Sequence, residues 1–165
     1  MEDRQKVMMD FVYPLIAFAG LSVFLSALYN LGWSTPENYQ EAMTRCCAVA
    51  VSLFGGFYLS AYLINRIGMY VAGRPDNAAV ARQFTGYSMG FLLLLQIVYG
   101  LLPELFIGML VLSFYTVYIV WVGSRELLHI REEVRLRFTL LASAVLFLCP
   151  LTIQQLFNKL MVMTS

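Results

Sequence analysis

An all-α integral membrane bundle, five transmembrane helices with short amphipathic surface helices between them, is the fold class this sequence predicts. Three observations carry it. Sixty per cent of the 165 residues are hydrophobic and only 13% are charged, more apolar side chain than a soluble domain of this size hides in its interior. The apolar residues come in blocks of about 20, the length at which a helix crosses a hydrocarbon core of roughly 30 Å. The basic residues fall almost wholly on one side of those blocks. The chain therefore reads as one membrane domain, 1–165, with spans at about 11–31, 48–72, 84–102, 104–124 and 138–160.

The first span has Pro14 in its opening turns, where a missing N–H costs little. Tyr29 and Trp33 suit a membrane–water interface. No small-residue cleavage site follows, so the span is read as a retained helix. In "STPENYQEAMTRCC", Thr35 suits a helix cap, Pro36 the first helical position and Glu37 the first turn. Tyr39, Ala42, Met43 and Cys46 recur at helical spacing, which predicts a short surface helix running into the second span. Cys46 and Cys47 are read as buried thiols, because adjacent cysteines bond only through a strained ring. Gly73 suits the C-cap of the second span with Pro75 beyond it, and Asp76 is placed to cap the next helix.

Residues 84–124 contain "QIVYGLLPELFIGM", one proline and one glutamate within a long apolar run. A single helix over that run would extend roughly 60 Å, about twice a bilayer core. Two helices reversing at Pro103–Glu104 fit instead. Pro103 favours a helix start, and Glu104 then meets the positive end of the helix dipole. In "SRELLHIREEVRLR", Leu127, Ile130 and Val134, followed by Phe138, share one face among charges. That predicts a short amphipathic surface helix or helical extension, docked on the membrane surface through its apolar stripe, with Glu133 and Arg137 paired at i, i+4. Pro150 predicts a kink in the last span.

Orientation follows from the basic residues. Arg4 and Lys6, then Arg66, Arg74 and Arg82, then Arg125, Arg131, Arg135 and Arg137 share one side, and Arg45 and Lys159 lie on the other. The positive-inside rule then puts the N-terminus in the cytoplasm and the C-terminus outside. No extended basic run exists, so nucleic acid is not an expected partner.

No catalytic, cofactor-binding or metal-ligating set is assigned. Glu132, Glu133 and Arg137 match one motif of intramembrane prenyl-protein proteases, but the single histidine, His129, lies upstream in the same segment, where it cannot complete that site. Glu126 and His129 have the Glu-x-x-His spacing of di-iron bundles without the second motif those sites need. Small residues say more. Ala48, Ser52, Gly56 and Ser60 recur every four residues, and Gly86 and Gly90 form G-x-x-x-G. In lipid such residues let backbones approach closely. They are read here as packing within one bundle, with a homo-oligomer or a membrane-protein partner as the other use. Arg66, Gln96 and Gln154 are the polar intramembrane candidates; together they would line the cavity of a small transporter or transporter subunit.

The stretch "QFTGYSMGFLLLLQIVYGLLPELFIGMLVLSFYTVYIVWVGSRELLHIREEVRLRFTLLASAVLF" resembles the Yip family (Ypt-interacting proteins) of five-span membrane proteins, in its bacterial branch. In that family a Gly-Tyr-type entry begins the third span, a short proline-containing turn leads into the fourth, and a charged connection precedes the last. Eukaryotic members carry Asp-Leu-Tyr-Gly-Pro before the first span; here "DFVYP" keeps Asp10, a displaced Tyr13 and Pro14. The resemblance implies a five-span fold in the bacterial inner membrane more than an activity. The expected function is a non-enzymatic membrane protein that organises membrane lipids or protein partners.

Overall fold

The structure, a computed structural model, describes residues 11–73, 75–102 and 106–164. Among these residues six helices follow in order: α1 (Tyr13–Leu31), α2 (Pro36–Ala72), α3 (Ala78–Leu101), α4 (Phe106–Ser113), α5 (Tyr115–Glu126) and α6 (Glu132–Thr164). Four are long and apolar enough to cross a membrane: α1, α2, α3 and α6 through Lys159. The expected fourth span is instead two shorter helices. At their joint the Phe114 N–H donates to Val111 O (3.2 Å) and the Val117 N–H to Phe114 O (3.0 Å). Both bonds reach three residues back, a local tightening that interrupts the α ladder.

α2 is the spine. It packs against α1, α3 and α6, while α3 also holds α1 and α5. α2 and α6 run antiparallel, with Gly56 facing Pro150 and Gly68 facing Phe138, whereas α1 and α3 run parallel, with Val12 facing Gly86 and Ser22 facing Gly100; on α3 Phe84 faces Gly123. The bundle therefore has a basic end, with the 73–77 and 127–131 connections, and a far end with the 32–35 connection. The core joins Phe57 and Ile64 of α2, Phe84, Met89 and Leu93 of α3, Val120 of α5, and Phe138 and Leu146 of α6. Outward faces are apolar too: Phe18, Val51, Tyr62, Leu94, Leu140 and Leu151 are all exposed. Water would penalise such a surface, whereas hydrocarbon does not. The protein is a multi-pass membrane protein.

Local details refine the expectations. The surface helix expected before the second span is continuous with it, so α2 runs 37 residues. Its Ala42 is buried with Ala27 and Leu28 of α1. Thr35 occupies the N-cap position in extended conformation with Pro36 next, but its hydroxyl makes no capping bond. The 32–35 connection is held instead by Asn38 Nδ2, which donates to Leu31 O (2.7 Å) and Gly32 O (3.1 Å). Gly73 takes the left-handed conformation (φ 61°) expected of a C-cap. The cap of α3 is Asn77, accepting from the Val80 N–H, one residue after the expected Asp76. The Asp76 carboxylate instead accepts from Asn65 Nδ2 at 2.6 Å, tying the connection to α2. Cys47 is exposed rather than buried.

The stretch 124–137 corrects the sequence reading most. Of the two forms expected, it is the helical extension rather than a separate surface helix. α5 ends at Glu126, the chain turns through a left-handed His129 (φ 48°), and α6 starts at Glu132. The stripe expected to face lipid is drawn inward: Ile130 and Phe138 are buried in the core, with Leu127 and Val134 packed against it. The ion pair formed on this stretch of α6 is Arg135–Glu132 (3.6 Å) rather than Glu133–Arg137. The readings placed on Arg4, Lys6, Asp10, Arg74 and the Pro103–Glu104 reversal lie outside the described residues.

Candidate functional site

The small-residue stripes are consumed inside the bundle. A Cβ on Gly56 would lie 3.0 Å from Pro150 Cα and Cγ, so α2 and α6 meet there backbone to backbone. This is where α6 lacks an N–H, and Gly56 gives the Pro150 ring its seat. Ser52, buried on the same stripe, donates its hydroxyl to Val49 O (2.8 Å). Ser60 is fully buried. Gly86 and Gly90 face the start of the first span: their Cβ atoms would come within 3.1 Å of Val12 Cγ2 and 2.8 Å of Phe11 Cε1. Both motifs are thus contacts within one chain.

The polar candidates are not brought together. Arg66 sits near the basic end, its Nε 3.2 Å from Tyr62 Oη and its guanidinium 5.3 Å from that ring. A shallow pocket at this level joins Tyr62 and Asn65 of α2 to Ala78 and Arg82 of α3. Gln96 lies fourteen residues beyond Arg82 on α3, about 21 Å along the axis at 1.5 Å per residue. Gln154 is half-buried on α6 and lines neither of the two cavities that Gln96 borders. The cavity expected from Arg66, Gln96 and Gln154 is therefore not assembled: Arg66 lies at a distant level of the bundle, and Gln154, one turn beyond Pro150, is not among the residues lining the groove.

Gln96 instead stands beside two cavities. One is an apolar groove of about 700 Å³ between α3, α4 and α6, lined by residues such as Leu92, Leu95, Leu110, Phe147 and Leu151, with Leu53 of α2 behind. It exists because α4 rests on α3 and α5 rather than on α6. The other is a polar pocket of about 230 Å³ among α1, α2 and α3, lined by Ser26, Asn30, Arg45, Gln96, Tyr99 and the backbone at Gly100. Gln96 and Tyr99 border both. At this level α1 and α3 nearly touch, since a Cβ on Gly100 would lie 3.0 Å from Ser22 Cβ.

Within the pocket, Asn30 Nδ2 donates to Ser26 O at 2.9 Å. Arg45 Nη2 lies 2.6 Å from Glu41 Oε1, one turn nearer the start of α2, and both side chains are about half exposed. Such a pair is weak in solvent and its guanidinium keeps spare donors. No side chain here is placed as nucleophile and base, and among the described residues no three His, Cys, Asp or Glu side chains converge. What the arrangement supports is binding of an amphiphile, with a charged and amide-lined pocket beside a hydrocarbon-lined groove. Sequence reading assigned Arg45 only to orientation and missed Asn30, Tyr99 and the groove leucines. A groove leucine and a core leucine have the same spacing along a helix.

A family model described as the Yip1 domain matches residues 3–153. No curated protein and no solved structure matches the chain.

Proposed function

The chain belongs to the Yip1 domain family, and from that premise we propose a non-enzymatic five-span membrane protein that organises lipid or protein partners within the bilayer. The supporting observation is the groove. The bundle buries its small-residue faces internally, yet leaves an apolar recess of about 700 Å³ where α4 stands away from α6. That volume lies within the roughly 300–1,000 Å³ of ligand sites. Five spans are supported by the run Phe106–Glu126, two helices joined by one tightened turn. Twenty-one residues so joined reach about 30 Å, one hydrocarbon core. The clustering of Arg82, Arg125, Arg131, Arg135 and Arg137 at the basic end supports a cytoplasmic placement of that end, in a bacterial inner membrane with the C-terminus outside.

Purification in mild detergent, followed by identification of retained lipid and protein, tests the organising role. A stoichiometric lipid or protein companion is expected. A chain recovered free of both, or one that moves a solute across a sealed liposome, overturns it. A reporter fused after Ser165 is expected to be active only outside the cytoplasm; cytoplasmic activity removes the five-span arrangement without touching the rest.

A further inference from the structure

We propose that the polar pocket and the apolar groove are one site for a zwitterionic phospholipid with a phosphoethanolamine headgroup. This deepens the organising function and rests on it. The argument is one of order. From α6 outward past Gln96 to the start of α2, the structure presents hydrocarbon, then an amide, then a cation, then an anion.

Each group matches one part of the lipid. The groove between α4 and α6 is lined mainly by Leu, Met and Phe side chains, with Gln96, Tyr99 and Ser113 as its polar members, and an acyl chain from the surrounding bilayer fills it at little cost in polar desolvation. A partner helix is about 10 Å across and needs an open face rather than a recess of this volume. Gln96, half-buried and without a hydrogen-bond partner among the described residues, lies five residues from the end of α3. That is about 7 Å from the helix end, the level of the glycerol esters, whose carbonyls accept from an amide N–H. Arg45, the one charged residue among those lining the pocket, takes the phosphate, for which its guanidinium fork is suited. Glu41 follows one turn further out, 2.6 Å from Arg45. It accepts from the terminal ammonium.

The Arg45–Glu41 pair decides the headgroup. Its net charge is zero, so a purely anionic headgroup gains from Arg45 and loses to Glu41. A phosphocholine headgroup brings a cation without N–H donors. Only a phosphate followed by a primary ammonium satisfies both charges in the order in which they stand.

The test uses the full chain in liposomes doped with photoactivatable phospholipids that carry the crosslinker on the acyl chain and differ only in headgroup: phosphoethanolamine, phosphocholine and phosphoglycerol. Crosslinks are expected at Leu92, Leu95, Leu110 and Phe147, about threefold more from phosphoethanolamine than from the other two, the scale of one half-exposed ion pair. Glu41→Gln should erase the preference for phosphoethanolamine, and Arg45→Gln should lower groove labelling by all three. Both positions are exposed, so melting in detergent is expected to be unchanged. Equal labelling of the wild-type chain by all three headgroups overturns the proposal, as does a preference that survives Glu41→Gln. If that happens while a protein companion is retained on purification, the organising function stands and only this site falls.

Discussion

Gly108 and Gly123 belong to the same expected span and live in opposite surroundings. A Cβ on Gly123 would meet Phe84 Cε2 at 2.9 Å, whereas one on Gly108 would meet nothing within 4 Å. The difference runs through the two helices that carry them. α5 buries Thr116, Val120 and Ser124, one face at i, i+4 and i+8, and lays it against α3 and α6. The α4 side chains Ile107, Leu110, Val111 and Leu112 are all exposed. Small residues let α5 dock backbone-close, whereas among its described side chains α4 presents bulky apolar groups outward. In lipid, large apolar side chains alone give no reason to leave the hydrocarbon. One half of the span is therefore structural, and the other opens a groove.

Aromatic packing reinforces the tight half. Phe84 and Phe138 lie 6.1 Å apart at 60°, and Arg135, its side chain only 12% exposed, sits 5.5 Å from the Trp121 ring. The same half contains buried hydroxyls of Ser60, Thr116, Thr139 and Ser143, and the Arg135 Nε, without partners among the described residues. Without such partners they form no bonds between α2, α5 and α6, so the tight half is held by packing and aromatic contact rather than by these polar atoms.

The contrast can be broken by mutation. The largest effect is expected from Phe138→Ala, which empties a fully buried site. About 2–3 kcal/mol should be lost by unfolding in detergent, the low side of core truncations because lipid is itself apolar. Phe114→Ala at the groove rim should change stability by less than about 0.5 kcal/mol, and equal losses would deny the difference between the halves. Next comes Gly123→Val, expected to cost about 1–3 kcal/mol through overpacking against Phe84. Gly108→Val should be near neutral, as measured by thermal melting of both variants. A smaller loss, about 0.5–1 kcal/mol, is expected from Arg135→Gln, which removes the cation from the Trp121 face. Trp121 emission should shift with it, and unchanged emission would place the arginine elsewhere. Smallest is Glu41→Gln, a half-exposed pair contributing about 0.5 kcal/mol or less to stability; a large destabilisation there would mean that Glu41 supports the fold rather than a headgroup.

Composition, apolar block length and turn chemistry determined that this chain is a helical multi-pass membrane protein. Cap and helix-start residues such as Gly73 and Pro36 were legible because each acts through its own backbone. Gly56, Gly86 and Gly90 could be picked out as places where backbones can approach, since a missing side chain is visible in the sequence itself. Which helix each one touches was not legible. Tertiary packing alone decided that Ile130 and Phe138 turn into the core, although their spacing suits a membrane surface equally well. It also separated Arg66 from Gln96 and brought Gln96 beside Arg45, because antiparallel helices match residues by level along the bundle and not by polarity. The groove was the least legible feature. It follows from α4 leaning on α3 and away from α6, a choice between two apolar neighbours that no periodicity within either helix records.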